Sequence, residues 1–218
     1  MRNRLWVLAA VIVTGLSPNS PAAEPSASPT EWKFVSNKEG VALFRRQRPA
    51  SNESKAIGEI AASTDLVKAV LDDIESYVSF MPNLAEGRVL KREGDSVLSY
   101  QRVSAPLVSD RDFTVRIRST SQPVEGGIRY LSRWETENAL GPPEKAGVVR
   151  VNLCEGSWLL EPIGPNTTRA TYLIYTDSGG AIPAVIKSIG SQVGLRKMFA
   201  AIRKQVREPK YAAAKRSN

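Results

Sequence analysis

The amino-acid sequence predicts an α+β protein, in which an antiparallel sheet is joined by one helix early in the chain and a longer helix near its end. Three observations support this prediction. Strand-like runs follow one another without intervening helices, which is typical of an antiparallel meander. Apolar residues recur at three- and four-residue intervals within 64–81, and the same spacing returns over 183–206.

The folded region is predicted to begin near Glu31. Apolar residues flank the turn at 37–40, which indicates a hairpin, and 56–61 is a further short strand. Thr64 is suited to cap the first helix, which ends before Pro82. The strands that follow are separated by clusters of Gly, Pro, Asn and Asp and lie near 87–92, 96–104, 112–121, 127–137, 148–162 and 167–177.

The last helix changes the phase of its apolar face at Gly190 and Gly194. A glycine inside a helix costs about 1 kcal/mol relative to alanine, so the pair predicts a bend or a close approach to another backbone. The later polar surface of this helix is basic, which fits either a solvated face or a contact with an anionic membrane. Its charged residues are Arg196, Lys197, Arg203, Lys204 and Arg207.

The first 23 residues have the pattern of a signal peptide. Arg2 and Arg4 precede an apolar run over 5–16, and small residues follow it. This run is shorter than the ~18 to 20 residues that a membrane-spanning helix needs. We therefore expect a periplasmic or secreted protein. The predicted organisation is a signal peptide at 1–23, a flexible leader at 24–30, one domain at 31–207 and a basic tail at 208–218.

Composition excludes several kinds of chemistry. The chain has no histidine, so imidazole-based zinc sites and Ser-His-Asp triads are absent. Cys154 is the only cysteine, which rules out an intramolecular disulfide and favours an inert core thiol. No carboxylate pair has a spacing that indicates a catalytic site. We therefore predict a protein that is not an enzyme and that has no metal site and no cofactor.

The net charge of the chain indicates which kinds of binding partner to expect. Without Arg2 and Arg4 the chain keeps 28 of its 30 basic residues against 22 acidic ones, a formal charge of +6. This balance favours acidic surfaces. Aromatic residues are not interleaved with a basic patch, so we expect no binding to nucleic acid.

Three segments, taken in their order and spacing, resemble a START-type lipid-binding domain. They are Pro-Leu-Val-Ser-Asp-Arg-Asp-Phe at 106–113, Gly-Ser-Trp at 156–158 and the turn at 177–183. The resemblance runs from about Glu31 to Arg207. It implies the helix-grip fold, in which a curved antiparallel sheet wraps a long C-terminal helix and encloses an apolar tunnel for one lipid. It also implies structural roles for Arg111, Asp112 and Trp158.

Several members of that family place an arginine on the tunnel-facing side of the strand that follows the Arg-Asp-Phe motif, beside an acidic residue of the preceding strand. Here the alternation from Phe113 brings Ile117 to that position, while Arg116 and Arg118 have the opposite parity. The preceding strand has no carboxylate at the corresponding place. The predicted tunnel and lid residues are Tyr100, Gln101, Arg102, Val115, Ile117, Trp134, Leu140, Ile189, Val193 and Met198.

Two of these predictions concern loop and strand placement. The connection at 138–147 falls where family members place a loop that gates the tunnel, although an ordinary surface loop has the same composition. Leu140 is its expected contact with membrane or ligand. Arg133 and Glu135 share one side of their strand and are either a solvent-facing pair or a pair inside the tunnel.

The resemblance implies non-enzymatic binding, and transfer between membranes, of one sterol-, hopanoid- or phospholipid-like molecule. We expect a monomer that contacts an anionic membrane transiently. Two alternatives remain open. One is a cyclase or aromatase of the same superfamily that acts on a polyketide-like compound. The other is a ligand-free protein that binds an envelope partner.

Overall fold

The computed structural model describes residues 31–49, 51–106, 108–177 and 192–211. The predicted signal peptide at 1–23, the predicted leader at 24–30, most of the predicted basic tail and residues 183–191 of the predicted last helix, including Ile189, lie outside the described residues.

One sheet accounts for all the described strands. Its order is β1-β2-β3-β10-β9-β7-β6-β5-β4, each neighbouring pair is antiparallel, and β8 pairs with the start of β6 in parallel. This confirms the predicted α+β class. The strands are β1 (Lys33–Lys38), β2 (Val41–Gln47), β3 (Asn52–Ile60), β4 (Leu84–Glu93), β5 (Ser96–Val103), β6 (Asp110–Val124), β7 (Gly127–Thr136), β8 (Val148–Arg150), β9 (Leu153–Gly164) and β10 (Thr167–Asp177).

The region predicted as one helix over 64–81 is broken in two. Helix α1 (Thr64–Asp72) is capped by Ser63 instead of Thr64, because the Ser63 hydroxyl accepts a hydrogen bond from the Leu66 amide. A 3-10 turn and α2 (Tyr77–Phe80) follow. The break lies at Asp73, whose carboxylate accepts hydrogen bonds from Lys210 and Tyr211 near the end of the chain. Asp73 lies outside the helical conformation, at φ −84° and ψ 59°, and these long-range contacts fix its side chain there.

The run predicted as a single strand over 148–162 is also divided, into β8 and β9. Between them the Val151 amide donates to the Asp112 carbonyl and the Asn138 side chain donates to the Val151 carbonyl. These bonds fix the chain at the point where its pairing partner changes. Before this point β8 pairs with β6, and after it β9 pairs with β10.

Helix α3 (Gln192–Gln205) packs on the inner face of the sheet. Phe199 is fully buried against Gly58, where an added Cβ would lie 2.8 Å from the Phe199 ring. One turn further on, the Arg203 guanidinium donates to the carbonyls of Glu39, Gly40 and Glu59 at 2.8 to 2.9 Å. The sheet therefore holds α3 through a close apolar contact and a set of charged hydrogen bonds.

Candidate functional site

A cavity of about 190 Å³ lies between the inner face of the sheet and the helices. Strands β4, β5, β6, β7, β9 and β10 supply one wall, and α1, α2 and the first turns of α3 supply the other. Its surface is mostly apolar. The apolar and aromatic lining includes Val97, Val103, Phe113, Val115, Ile117, Trp134, Trp158, Ile174, Leu195 and Met198.

The longest continuous part of the wall comes from β6. Phe113, Val115, Ile117 and Ser119 alternate along the strand and all line the cavity. Because a strand rises about 3.3 Å per residue, the six-residue interval from Phe113 to Ser119 spans about 20 Å. The cavity is therefore elongated along the strand.

The two arginines between these positions point the other way. Arg116 binds Glu93 and Glu137 at 3.1 and 3.4 Å, and Arg118 binds Glu135. The parity predicted from the sequence is confirmed, since β6 pairs with β5 and β7 without a bulge. Arg133 is exposed and Glu135 pairs across to Arg118, so these two charged residues lie on the outer face.

Strand β5 corrects two of the predicted tunnel residues. Gln101 lines the cavity, but its neighbours Tyr100 and Arg102 have the opposite parity and face the outer side. Tyr100 is fully buried there and donates to Asp112 at 3.0 Å, and burial together with this carboxylate raises the pKa of Tyr100 to about 12. Arg102 binds Glu86 and Asp110. Both side chains stabilise the sheet.

The predicted lid loop is also corrected. It lies across the outer face of β6, where the Asn138 side chain accepts from the Thr114 amide at 2.8 Å. Gly141 packs so closely that an added Cβ would lie 1.9 Å from the Thr114 hydroxyl oxygen. Leu140 is 52% exposed and does not line the cavity. The loop therefore lies on the opposite side of the sheet from the cavity and does not cover it in this structure.

The residues with predicted structural roles are buried but do not share one face of the sheet. Asp112 lies on the outer face, whereas Arg111 has the parity of Phe113 and pairs with Val103, which lines the cavity. Asp112 is 1% exposed and bonds to Arg150, while Arg111 is 6% exposed and donates to the Ser109 carbonyl. Trp158 is buried on the inner face with its ring centroid 5.5 Å from that of Phe199. It also lines the cavity, so it serves both the core and the wall.

On α3 the predicted site residues separate. Met198 lines the cavity beside Leu195, whereas Val193 is 55% exposed and is not part of the wall. Leu195 and Met198 are three residues apart and therefore share one side of the helix. Val193 lies two residues before Leu195, which places it on another side. The third predicted residue of this helix, Ile189, lies outside the described residues.

Several polar wall residues were not predicted. Ser119 and Ser132 are a cross-strand pair whose hydroxyl oxygens are 2.8 Å apart. Tyr172 stacks on Trp134 at 5.6 Å between centroids, and Cys154 lies on the neighbouring strand. Burial raises the pKa of Cys154 to about 12 and that of Tyr172 still higher. The alternation along β6 and β7 would have identified the two serines, because they share the parity of Ile117 and Trp134.

The described residues contain no cluster of His, Cys, Asp or Glu that could hold a metal ion. In the same part of the chain, no helix has the length and hydropathy to cross a membrane.

Residues 60–203 match the family of polyketide cyclases / dehydrases and lipid transport proteins. A curated relative is an uncharacterized protein of Pseudomonas aeruginosa, which is 28% identical over 83% of this chain and 85% of its own length. The phosphatidylcholine transfer protein of Mus musculus is 23% identical over 74% of this chain and 77% of its own length.

Among solved structures, the STAR-related lipid transfer protein of Xanthomonas axonopodis superposes with a TM-score of 0.68 at 25% identity, over 81% of this chain and 99% of that one. The Zhui aromatase/cyclase of a Streptomyces species has the same fold, with a TM-score of 0.54 at 15% identity over 74% of this chain and 96% of that one. The chain thus belongs to the polyketide cyclase / dehydrase and lipid transport family, and its domain is of the START type.

Proposed function

We propose that the protein binds one hydrophobic lipid in the cavity and transfers it between membranes. The observation that carries the proposal is the elongated apolar wall along β6, which continues through Trp134 and Trp158 to α3. Removing an apolar lipid body from water contributes roughly 25 cal/mol per Å² of buried apolar surface. Relatives named for lipid transfer support the same function.

The volume of the cavity implies movement of its walls. About 190 Å³ is less than the ~300 Å³ at which small-molecule pockets begin. Binding of a lipid therefore requires wall side chains to shift, and Met198 is suited to this because its unbranched side chain adopts many shapes. We expect Met198 and the neighbouring turn of α3 to move most.

The proposed activity involves no catalysis. A general acid or base needs a pKa near the working pH, and the Cys154 and Tyr172 side chains are held in their neutral forms by raised pKa values. Asp72, a further wall residue, is engaged in an ion pair with Lys68 at 2.5 Å. A lipid recovered from the protein with an unchanged mass supports a carrier, whereas turnover of an added polyketide-like compound supports an enzyme.

A transfer protein must also meet a membrane. We propose that the exposed cations of α3 and the turn after it, Lys197, Lys204 and Arg207, make this contact with anionic lipid. We further propose that the protein is an exported monomer, on the strength of the signal-like pattern at 1–23. Cell fractionation and the mass of the purified protein in solution test these two statements.

The deciding experiment is native mass spectrometry of the protein purified from its host, followed by a transfer assay between vesicles. The variant Ile117→Trp fills the cavity, so we expect it to lose the bound lipid and the transfer. The variant Arg118→Trp adds the same ring one residue along, on the exposed outer face, and should keep both. Equal activity of the two variants, or protein free of lipid that takes up none from a membrane extract, would refute the proposal.

A further inference from the structure

We infer that the cavity selects a lipid whose polar group is uncharged, such as a lipid alcohol, and that the Ser119–Ser132 pair binds the hydroxyl. The inference rests on the proposed function and names the ligand class of the same cavity. It excludes phospholipids whose phosphate would enter the cavity.

The first argument is the charge of the wall. Among the described residues that line the cavity, Asp72 is the one with a carboxyl side chain. Its carboxylate is 54% exposed and is paired with Lys68, so it lies where the cavity meets solvent. No described cation lines the cavity. A phosphate or carboxylate buried there would lose its hydration and find no counter-charge, which is strongly unfavourable.

The second argument is the orientation of the two arginines on either side of Ile117. Arg116 and Arg118 flank Ile117, yet both guanidinium groups are bound to carboxylates on the outer face. Neither can turn inward without breaking its ion pairs and passing through the sheet. At this point β6 therefore presents the apolar side chain of Ile117 to the cavity and directs both neighbouring arginines away from it.

The third argument is the hydrogen-bonding capacity of the serine pair. With their oxygens 2.8 Å apart, one hydroxyl donates to the other, and the remaining O–H and lone pairs are available to a ligand. Ser132 is 9% exposed and Ser119 is half-buried, so the pair is partly shielded from bulk water. The pair lies about 20 Å from Phe113 along β6. An elongated apolar molecule with a terminal hydroxyl would match this arrangement.

Tyr172 adds a second neutral polar group to the wall. It lies between Trp134 and Trp158, with ring centroids at 5.6 and 4.7 Å, and its hydroxyl makes no hydrogen bond with another described residue. Burial raises the pKa of this hydroxyl, so it stays protonated and neutral. Apart from Asp72 at its rim, the described polar groups that line the cavity are thus donors and acceptors without charge.

The test is competition between lipids that share an apolar body and differ in charge. Cholesterol is mixed with cholesteryl sulfate, and dioleoylglycerol with dioleoylphosphatidic acid, and the 1:1 complexes are counted by native mass spectrometry. We expect the neutral member of each pair to bind at least 100-fold more tightly. The fluorescence of Trp134 and Trp158, which line the cavity, gives an independent readout.

The double variant Ser119→Ala/Ser132→Ala tests the hydroxyl site. A net hydrogen bond of about 1 kcal/mol corresponds to roughly a five-fold change in affinity. We expect a loss of this size for cholesterol and none for cholestane, which lacks the hydroxyl. An equal loss for both probes would assign the serines a merely structural role and overturn that part of the inference.

Equal or tighter binding of the anionic lipids overturns the inference while leaving the proposed function intact. The segment 178–191 contains one ionisable side chain, Lys187, so the anionic probes are repeated with Lys187→Met. Anionic binding that disappears in this variant would assign recognition to Lys187 and equally overturn the neutral-ligand inference. Binding of no probe, with no lipid in the protein from its host, would remove the proposed function itself.

Discussion

The Nε atom of Arg150 lies 2.7 Å from Oδ1 of Asp112, and the two side chains are 8% and 1% exposed. The Arg150 guanidinium also donates to the Pro142 carbonyl at 3.0 Å, which joins the 138–147 loop to β6. The ion pair therefore fixes the loop on the outer face, opposite the cavity.

Removing one partner of this buried pair should destabilise the fold. In Arg150→Met the carboxylate of Asp112 loses its counter-charge, and we expect the free energy of unfolding to fall by about 3 kcal/mol. Urea unfolding measures this change. The exposed pair Arg118–Glu135 provides the control, since Arg118→Met should cost less than about 1 kcal/mol. Similar losses in the two variants would contradict the assigned role of Arg150.

The contact between Gly58 and Phe199 should control how α3 packs on the sheet. An added methyl group at Gly58 would lie 2.8 Å from the Phe199 ring, so Gly58→Ala must push the helix outward. We expect a loss of about 1–3 kcal/mol in unfolding free energy and weaker lipid binding, because Leu195 and Met198 lie on the same helix.

A compensating variant makes this prediction specific. In Gly58→Ala/Phe199→Leu the smaller side chain leaves room for the methyl group, so the combined loss should be smaller than the sum of the two single losses. Strictly additive losses in unfolding free energy would show that the methyl group at position 58 and the Phe199 ring do not compete for the same space.

Arg203 should be irreplaceable by lysine. Its planar guanidinium donates to three carbonyls at once, those of Glu39, Gly40 and Glu59, and an ammonium group cannot reproduce that geometry. We expect Arg203→Lys to lower the free energy of unfolding by about 2 kcal/mol. The adjacent Lys204 is exposed, and Lys204→Ala should change it by less than about 0.5 kcal/mol. Full stability of Arg203→Lys would refute the bonding role.

Cys154 should react with iodoacetamide in a way that reports its burial in the cavity wall. Since only the thiolate reacts, the rate in the folded protein should rise about ten-fold per pH unit until the pKa of about 12. In denaturant the rate should level off near pH 9. Bound lipid should slow the reaction of the folded protein. A plateau near pH 9 without denaturant would contradict the raised pKa.

The same thiol makes stability depend on alkaline pH. The folded-state pKa lies above the unfolded value, so between about pH 9 and 12 the folded protein retains a proton that the unfolded chain has lost. The free energy of unfolding therefore falls as pH rises through this window. Cys154→Ala should show a smaller fall in urea unfolding over the same range, and an unchanged fall would assign the effect to other groups.

Local patterns predicted the parts of the fold that depend on side-chain periodicity. The spacing from Phe113 placed Val115 and Ile117 on the inner face, and the structure confirms this parity. The same rule applied to β5 would have separated Gln101 from Tyr100 and Arg102. The structure places Tyr100 and Arg102 on the outer face, which corrects their assignment to the tunnel.

Breaks within predicted elements could not be found from such patterns. The helix over 64–81 is interrupted at Asp73 by bonds from Lys210 and Tyr211, more than 130 residues away. The 138–147 loop has the composition of a mobile surface loop, yet Asn138, Gly141 and Arg150 fix it to the outer face. Both features depend on partners that are distant in sequence.

The α+β class and the alternation of the strands follow from the sequence, because side chains repeat every two residues in a strand and about every 3.6 in a helix. The motif residues are likewise read directly from the sequence. The tertiary structure decided which face of each strand meets the helices and where the uncharged Ser119–Ser132 pair lies. The cavity is formed by side chains from six strands and three helices, and their mutual distances arise only when the sheet curves around α3.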